Sequence, residues 1–457
     1  MRVRGATVAV LTVSALALAP RAMAVTVPPG WQVQTTATGV TGPASLAFPP
    51  AGSAFVAGLY VGYVDAAGST GLVARVGAGG TLVQLGTFPI TFPTGRSPIF
   101  RTTPSFDLVF DRPGGSYGGK LLVANGSLWS LAPAGGAATV YAGANQAAFE
   151  AASIEAKALI DGIAFGSDGL LRVSEGELTD ELFRVSAAGV ITREATRAGA
   201  SDVNNPRLDR AGAYGGGLLF PQLFQSVDGD LDEVGGEVLG NAFATVLLST
   251  ATMTNPFGAA VGNGDAELTG LLYVSDFGPA TTAFPQVADD EVYRLLPETA
   301  PPTAEVLASG FDFDLRGGNM TVGVGSDGLG SSLYVYDSAT ASIVELIPPR
   351  TGLLQITGSP ATVASWSAVS GATAYDVVRG DLAALERTGS QIDLGNLLCI
   401  EDDSADLTTT GFADSQSPVS RAGFFYLLRF TAGGTPSDYG RSAAGLPRVP
   451  FSGGCSP

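Results

Sequence analysis

Histidine does not occur anywhere in the 457 residues. Its absence excludes Ser-His-Asp and Cys-His nucleophilic catalysis, zinc sites of the HExxH kind and His-ligated haem. Lysine is almost missing too, with only Lys120 and Lys157. Twenty-four cations face 42 acids, a formal net charge of −18. Such a chain repels nucleic acid and anionic lipid surfaces, so neither is an expected partner. Divalent cations, basic surfaces or neutral glycans suit it better, although the charge also fits a purely solubilising surface. No phosphate loop, dinucleotide motif or thiol nucleophile is legible, so no nucleotide cofactor is expected. Cysteine occurs only at 399 and 455.

Glycine and proline are abundant, at 62 and 28 positions. Together they far exceed the roughly 12% of average proteins. That favours many turns and argues against a helix bundle. The chain is nevertheless 45% hydrophobic, with a mean hydropathy of +0.28, so it can build large cores rather than stay disordered.

Residues 1–24 read as a secretory signal. Arg2 and Arg4 are basic, Val8 to Ala19 is apolar, and Ala22-Met23-Ala24 is a small-x-small cleavage site. The apolar run is too short to span a bilayer, and no later stretch is long and apolar enough. Cleavage near Ala24 predicts a secreted or extracytoplasmic protein, and removes three arginines to leave −21. In that setting two cysteines point to a Cys399–Cys455 disulfide, with two free buried thiols as the alternative.

One segment recurs, of the form apolar-apolar-x-Val-x-polar. It ends at Asn125, Glu175, Asp276 and Asp337, with weaker copies at 53–58 and 217–222. From residue 125 the copies step by 50, 47, 54 and 61 residues. Gly166-Ser-Asp-Gly-Leu170 precedes one copy and Gly325-Ser-Asp-Gly-Leu329 another. Asp-Gly between apolar runs marks a hairpin turn. A short strand lies ahead of most turns, and a third and often a fourth strand follow. Four antiparallel strands per fifty or so residues, six times over, predict an all-β chain with a six-bladed β-propeller over about 40–349. Trp31 to Thr36 is placed to lend a strand to the last blade. A β-sandwich pair or β-helix is the competing architecture.

The run Ile160-Asp-Gly-Ile-Ala-Phe165, then Ser167-Asp-Gly169 and Leu170 to Glu175, resembles the NHL-type and gluconolactonase-like six-bladed propellers. The resemblance covers about 300 residues in pattern and is closest in the third blade. It implies an activity that needs no histidine: a divalent ion held at the channel mouth by oxygen ligands, with a carboxylate as base. Asp161 stands where that family places one ligand. The matching positions Ala44, Phe106, Phe257 and Met320 depart from the pattern, and Asp107 lies one residue off it. The alternative reading of Asp161 is a turn residue that caps the strand entry through a backbone hydrogen bond.

After Pro348-Pro349, Ala364-Ser-Trp366 through Tyr375-Asp-Val-Val-Arg-Gly380 is similar to a strand pair of fibronectin type III-like modules from secreted bacterial proteins. This predicts a small β-sandwich over 350–457, with Trp366 at its centre. Such modules attach or position; Glu401, Asp402, Asp403 and Asp406 are expected in a loop after Cys399.

The propeller frame would gather Asp107, Asp161, Glu175, Asp276 and Asp337 on one side. Asp228-Gly-Asp230-Leu-Asp232 has the alternate spacing that aims several oxygens at one calcium ion. It lacks the Gly and Glu positions of an EF-hand, and an acidic surface turn is its alternative. A carboxylate-pair glycosidase also needs no histidine, and Tyr60, Tyr63 and Trp129 are candidates for sugar stacking or for core. The sequence thus predicts an exported propeller that binds an unknown extracellular ligand or glycan, with calcium as a possible ion. The alternative is a calcium-dependent, gluconolactonase-like hydrolase of a lactone or ester.

Overall fold

The computed structural model describes residues 25–28, 31–42, 44–90, 106–154, 160–175, 181–196, 201–203, 206–208, 218–224, 232–237, 245–250, 256–262, 268, 271–276, 290–296, 303–311, 313, 320–326, 331–348, 354–358, 361–366, 368–369, 372–388, 391–420, 422–432, 434–440 and 447–455. The signal-like residues 1–24 lie outside them.

Six sheets follow one another in chain order, antiparallel apart from a short parallel pairing of Gly136–Ala137 with Leu82–Pro89 at the edge of the first. The third is the simplest: Ile160–Phe165, Leu171–Glu175, Glu181–Val185 and Ile191–Thr196, each strand paired with the next. The first strands of the six sheets contact one another in a closed ring, the sixth returning to the first. The fold is a six-bladed β-propeller.

Packing explains the recurring sequence segment. It forms the second strand of a blade, flanked by strands on both edges and by neighbouring blades on both faces. Leu121–Asn125, Leu171–Glu175 and Leu272–Asp276 are buried at every position. A strand covered on both faces reads as a continuous apolar run rather than an alternation. Each gap between blades has its own apolar core. Between blades two and three, Leu122 and Leu128 meet Ile163, Val173 and Phe183. Between blades six and one, Tyr334 and Ile343 meet Leu46 and Val61.

Blade six takes its outer strand from the start of the chain. Gln32–Thr38 pairs antiparallel with Ser342–Ile347, with Gln32 opposite Ile347. This is the strand loan read from the sequence. Two assignments shift. The 53–58 segment is a series of turns and bends, and the second strand of blade one is Tyr60–Val64. Gly58 adopts φ +136°, which breaks an extended run, while Phe55 turns inward against Tyr60 and Phe110. In blade four the innermost strand is split: Ser201–Val203 and Arg207–Leu208 both pair with Leu218–Phe224. Pro206 has no N–H to give a ladder, so the run does not look like a strand in sequence.

Among the described residues there is one α-helix, Gln146–Ala152, which the sequence reading did not anticipate. Asn145 caps it by accepting from the Ala148 N–H at 3.0 Å, and Phe149 packs on Phe183.

Beyond the propeller, Phe424–Ala432, Ala372–Asp381 and Asn396–Ser404 run side by side, and Gln355–Thr357 pairs with Val363–Ser365. Trp366 and Tyr375 are buried and in ring contact, 5.7 Å between centroids. Cys399 and Cys455 form a disulfide that ties the Asn396–Ser404 strand to the end of the chain. Glu401, Asp402 and Asp403 belong to that strand, not to a loop, because register shifts opposite Tyr375 and Val377 let the pairing continue past Cys399. Asp406 follows the strand.

Candidate ligand site on the propeller axis

The first strand of each blade pairs on one edge only and leaves the other open to the axis. An open edge presents N–H and C=O groups that need partners. Near the middle of the axis two side chains supply them. Asp107 Oδ1 accepts from Ser45 Oγ at 2.7 Å and from the Leu108 N–H at 2.9 Å. Its Oδ2 accepts from Arg207 Nη1 at 2.7 Å and from the Ile163 N–H at 3.4 Å. Arg207 Nε donates to the Ala259 carbonyl at 3.0 Å, and Nη1 also to the Pro206 carbonyl at 2.9 Å. The ion pair thus links first strands of blades one to five. Asp107 is fully buried, and Arg207 is 17% exposed. A buried pair offsets its desolvation only when its remaining donors and acceptors are satisfied, and here they are.

From this pair a cavity of about 530 Å³ extends toward the turns that join first and second strands. Each blade gives at least one apolar wall residue, among them Leu46, Leu108, Ile163, Leu208, Val261 and Val322. Leu108 and Ile163 point their N–H groups at the axis, so by the two-residue repeat of an antiparallel strand Phe110 and Phe165 do the same nearer the mouth. The next residues fit this phase, with the Asp111 N–H bonded outward to Lys120 and that of Gly166 to Leu170.

At the mouth stand Asp111, Arg112 and Ser167. Asp111 Oδ2 accepts from the N–H groups of Tyr117 at 3.0 Å and Gly119 at 2.9 Å, which commits it to its own loop. Arg112 is exposed and makes no ion pair with the described residues. Its Nη2 lies 3.1 Å from where a Cβ on Gly169 would stand, and Gly169 adopts φ +75° in the blade-three turn. A glycine there satisfies the turn and leaves room for the guanidinium. Below this turn Arg172 pairs with Glu194 at 3.0 Å and with Asp168. Burial raises the Asp168 pKa, but the Arg172 bond outweighs it and the net shift is downward.

The residues singled out in the sequence lie elsewhere or are differently occupied. Asp161 is the extra residue of a bulge between Ile160 and Gly162, at the strand end away from the cavity mouth. Asp228 and Asp230 lie outside the described residues, and Asp232 begins a strand, opposite Thr250. Glu175, Asp276 and Asp337 do share one side, but they are buried rather than presented. Glu175 stands opposite Glu181 in register. Glu181 in turn accepts from the Ile154 N–H at 3.1 Å and lies 3.4 Å from Arg193. Asp276 stands opposite Glu291, whose neighbour Tyr293 has its pKa raised, first by burial and then by Glu291. Tyr60 belongs to the core between blades one and two, with Trp129 packed against it, and Tyr63 packs against the neighbouring core. Cys399, Asp402 and Cys455 cluster tightly, but the two sulfurs are bonded to each other and are not free thiolates.

Arg207 and Arg112 escaped the sequence reading. A signal for Arg207 existed: the copy at 217–222 needs a first strand before it, and 201–208 is where that strand has to be.

The fold and its axial cavity define a six-bladed β-propeller with further β-structure after it. No family model matches the chain, and no curated protein matches it. Among solved structures it is similar to the PQQ-bound aldose sugar dehydrogenase of Streptomyces coelicolor, at 16% identity over 70% of this chain and 99% of that one, TM-score 0.41. A glucose dehydrogenase is 15% identical over 69% and 98%, TM-score 0.42. The Dos1 propeller is 9% identical over 73% and 82%, TM-score 0.35.

Proposed function

We propose that this is an exported binding protein whose small-molecule ligand occupies the axial cavity. The supporting observation is the cavity itself. Its volume of about 530 Å³ falls within the roughly 300–1,000 Å³ of small-molecule sites, and its lining mixes apolar side chains such as Leu108 and Ile163 with the polar groups Asp111, Arg112, Ser167 and Arg207. In this reading residues 1–24 are a signal removed on export, 25–349 form the binding propeller, and 350–457 form a fibronectin type III-like module that positions it. Calcium, held by Asp228, Asp230 and Asp232, steadies the acidic fold. The hydrolytic alternative is less well supported, because both Asp107 oxygens are engaged by Ser45, Leu108, Ile163 and Arg207 and are not free to activate water.

The test is a small-molecule thermal-shift screen on the wild type and on two cavity-filling variants, Val322→Trp and Leu208→Trp. Compounds that stabilise the wild type should lose their effect in whichever variants fold. Compounds that stabilise a folded, filled variant as well as the wild type would refute the cavity as the site.

A further inference from the structure

We infer that residues 25–41 form a strap across the closing seam of the ring, and that the docked strap hides the Ala24–Val25 bond from a processing protease. Removal of the leader therefore has to precede closure of the ring. This rests on the reading of residues 1–24 as an export signal and adds when that signal can be removed.

The strap is longer than the loaned strand. Thr26 forms an isolated antiparallel bridge with Ser309. Its N–H donates to the Ser309 carbonyl at 2.9 Å, and the Ser309 N–H donates to the Thr26 carbonyl at 3.1 Å. Ser309 belongs to Thr303–Phe311, the outer strand of blade five. Val25, Val27 and Trp31 pack on the apolar core that Leu307 and Phe311 of blade five share with Leu333 and Leu346 of blade six. Gln32–Thr38 then lies along blade six. At the far end the Val40 N–H donates to the Ala341 carbonyl at 3.0 Å. The Val64 N–H of blade one donates to the Thr41 carbonyl at 3.2 Å, and the Thr41 hydroxyl donates to the Val64 carbonyl at 2.6 Å. One segment thus ties together blades five, six and one.

The bond before Val25 lies at the start of that segment. From this bond to the bridge at Thr26 is at most about 7 Å of extended chain. A protease takes the residues on both sides of the cut into its own cleft as an extended strand. Val25, Thr26 and Val27 are the downstream residues it needs, and blade five already holds them. The Thr26 side chain is exposed, so the bond is hidden by the use of its peptide groups and not by burial of that side chain. Cleavage then waits on local opening of the strap. Its partners at 303–311 and 342–347 belong to the last two blades to be synthesised, so the bond stays accessible until they arrive.

The experiment uses the full mature chain behind a leader that ends in the enteropeptidase recognition sequence, Asp-Asp-Asp-Asp-Lys, so that the bond cut is the one before Val25. A second chain carries about twelve Gly and Ser residues between that sequence and Val25. Both are shown to be folded by circular dichroism and are cut side by side. Peptides copying the two junctions supply the intrinsic rates for normalisation. The direct chain should be cut at least roughly tenfold more slowly than the spaced one, because only opened molecules are substrates. Thr26→Pro, which removes the N–H that meets Ser309, combined with Trp31→Ser should bring the direct chain close to the spaced rate while the propeller still melts cooperatively. Equal rates for the direct and spaced chains would overturn the masking. Slow cleavage that survives in the folded double variant would also overturn it. N-terminal sequencing of the exported protein should begin at Val25; another start would overturn the leader reading and leave the masking measured with the two chains standing.

Discussion

Asp107 and Arg207, a hundred residues apart in the chain, form an ion pair across the propeller axis at 2.7 Å. The pair sits where the open edges of the first strands converge, and its bonds run to blades one to five. The axis of this propeller is therefore closed by side-chain chemistry and not by close approach of the strands alone.

The first prediction concerns that pair. Asp107→Asn and Arg207→Leu should each lower stability by about 3–5 kcal/mol, because either leaves a partner buried without its counter-charge. The double variant Asp107→Leu, Arg207→Leu should cost clearly less than the sum. Urea titration reads all three. Additive losses would mean that the two groups do not interact energetically.

A second buried pair gives a pH dependence. Asp414 accepts two bonds from Arg379, at 2.9 and 2.7 Å, and one from Tyr426 at 2.8 Å. Burial raises its pKa, but the Gln416 N–H, Arg379 and Tyr426 outweigh that and the net shift is downward. A carboxyl held below its unfolded value stabilises the fold fully above that value, about 3.9, and ceases to as pH falls through the folded value. Asp414→Asn should thus destabilise the chain at pH 7, and the gap from wild type should close below about pH 3.9. A gap that is constant down to the lowest pH at which the protein stays folded would contradict this.

The disulfide spans 56 residues. Closing a loop of that size lowers the entropy of the unfolded chain by an amount worth about 4 kcal/mol. Peptide mapping without reductant should recover the Cys399–Cys455 linkage, and Cys399→Ser with Cys455→Ser should lower the unfolding midpoint of the region after residue 350 while sparing the propeller. A shared loss in both regions would show that they unfold as one.

Calcium provides the fourth. An ion that binds only the folded chain adds about 2.7 kcal/mol at a hundredfold excess over its Kd. Calcium should raise Tm by more than sodium chloride of equal ionic strength, and Asp230→Asn should shrink the difference. A difference that shrinks instead with Asp161→Asn would move the ion to the start of blade three. Identical melting curves in calcium and in chelator would remove the ion altogether.

The six blades were legible because central strands are covered on both faces, which writes a dense apolar word into the sequence every fifty or so residues. The strand loaned by residues 32–38 was legible for a related reason: a lone strand before the first repeat has few other places to pair. Blade four's first strand was not legible, since Pro206 and the charged residues around it break both propensity and pattern. Arg207 was hidden with it. The acids Glu175, Asp276 and Asp337 were found by position, but their burial could not be read from residue type, because it depends on neighbouring strands, which set Glu181 opposite Glu175 and Glu291 opposite Asp276. Arg112 gave no signal at all in sequence; only the cavity makes it conspicuous.

The loaned strand also sets an order of assembly. Gln32–Thr38 is synthesised first yet pairs with Ser342–Ile347, more than three hundred residues later, so this ladder cannot form until nearly all the blades exist. Until then Ser342–Ile347 shows a bare edge that any other extended chain can join, and contacts between such distant segments form slowly. The last step of folding is thus also the step most open to capture by a second molecule. Dilution, or a short peptide copying residues 32–38, is expected to act on yield at that moment and hardly at all once the ring is shut.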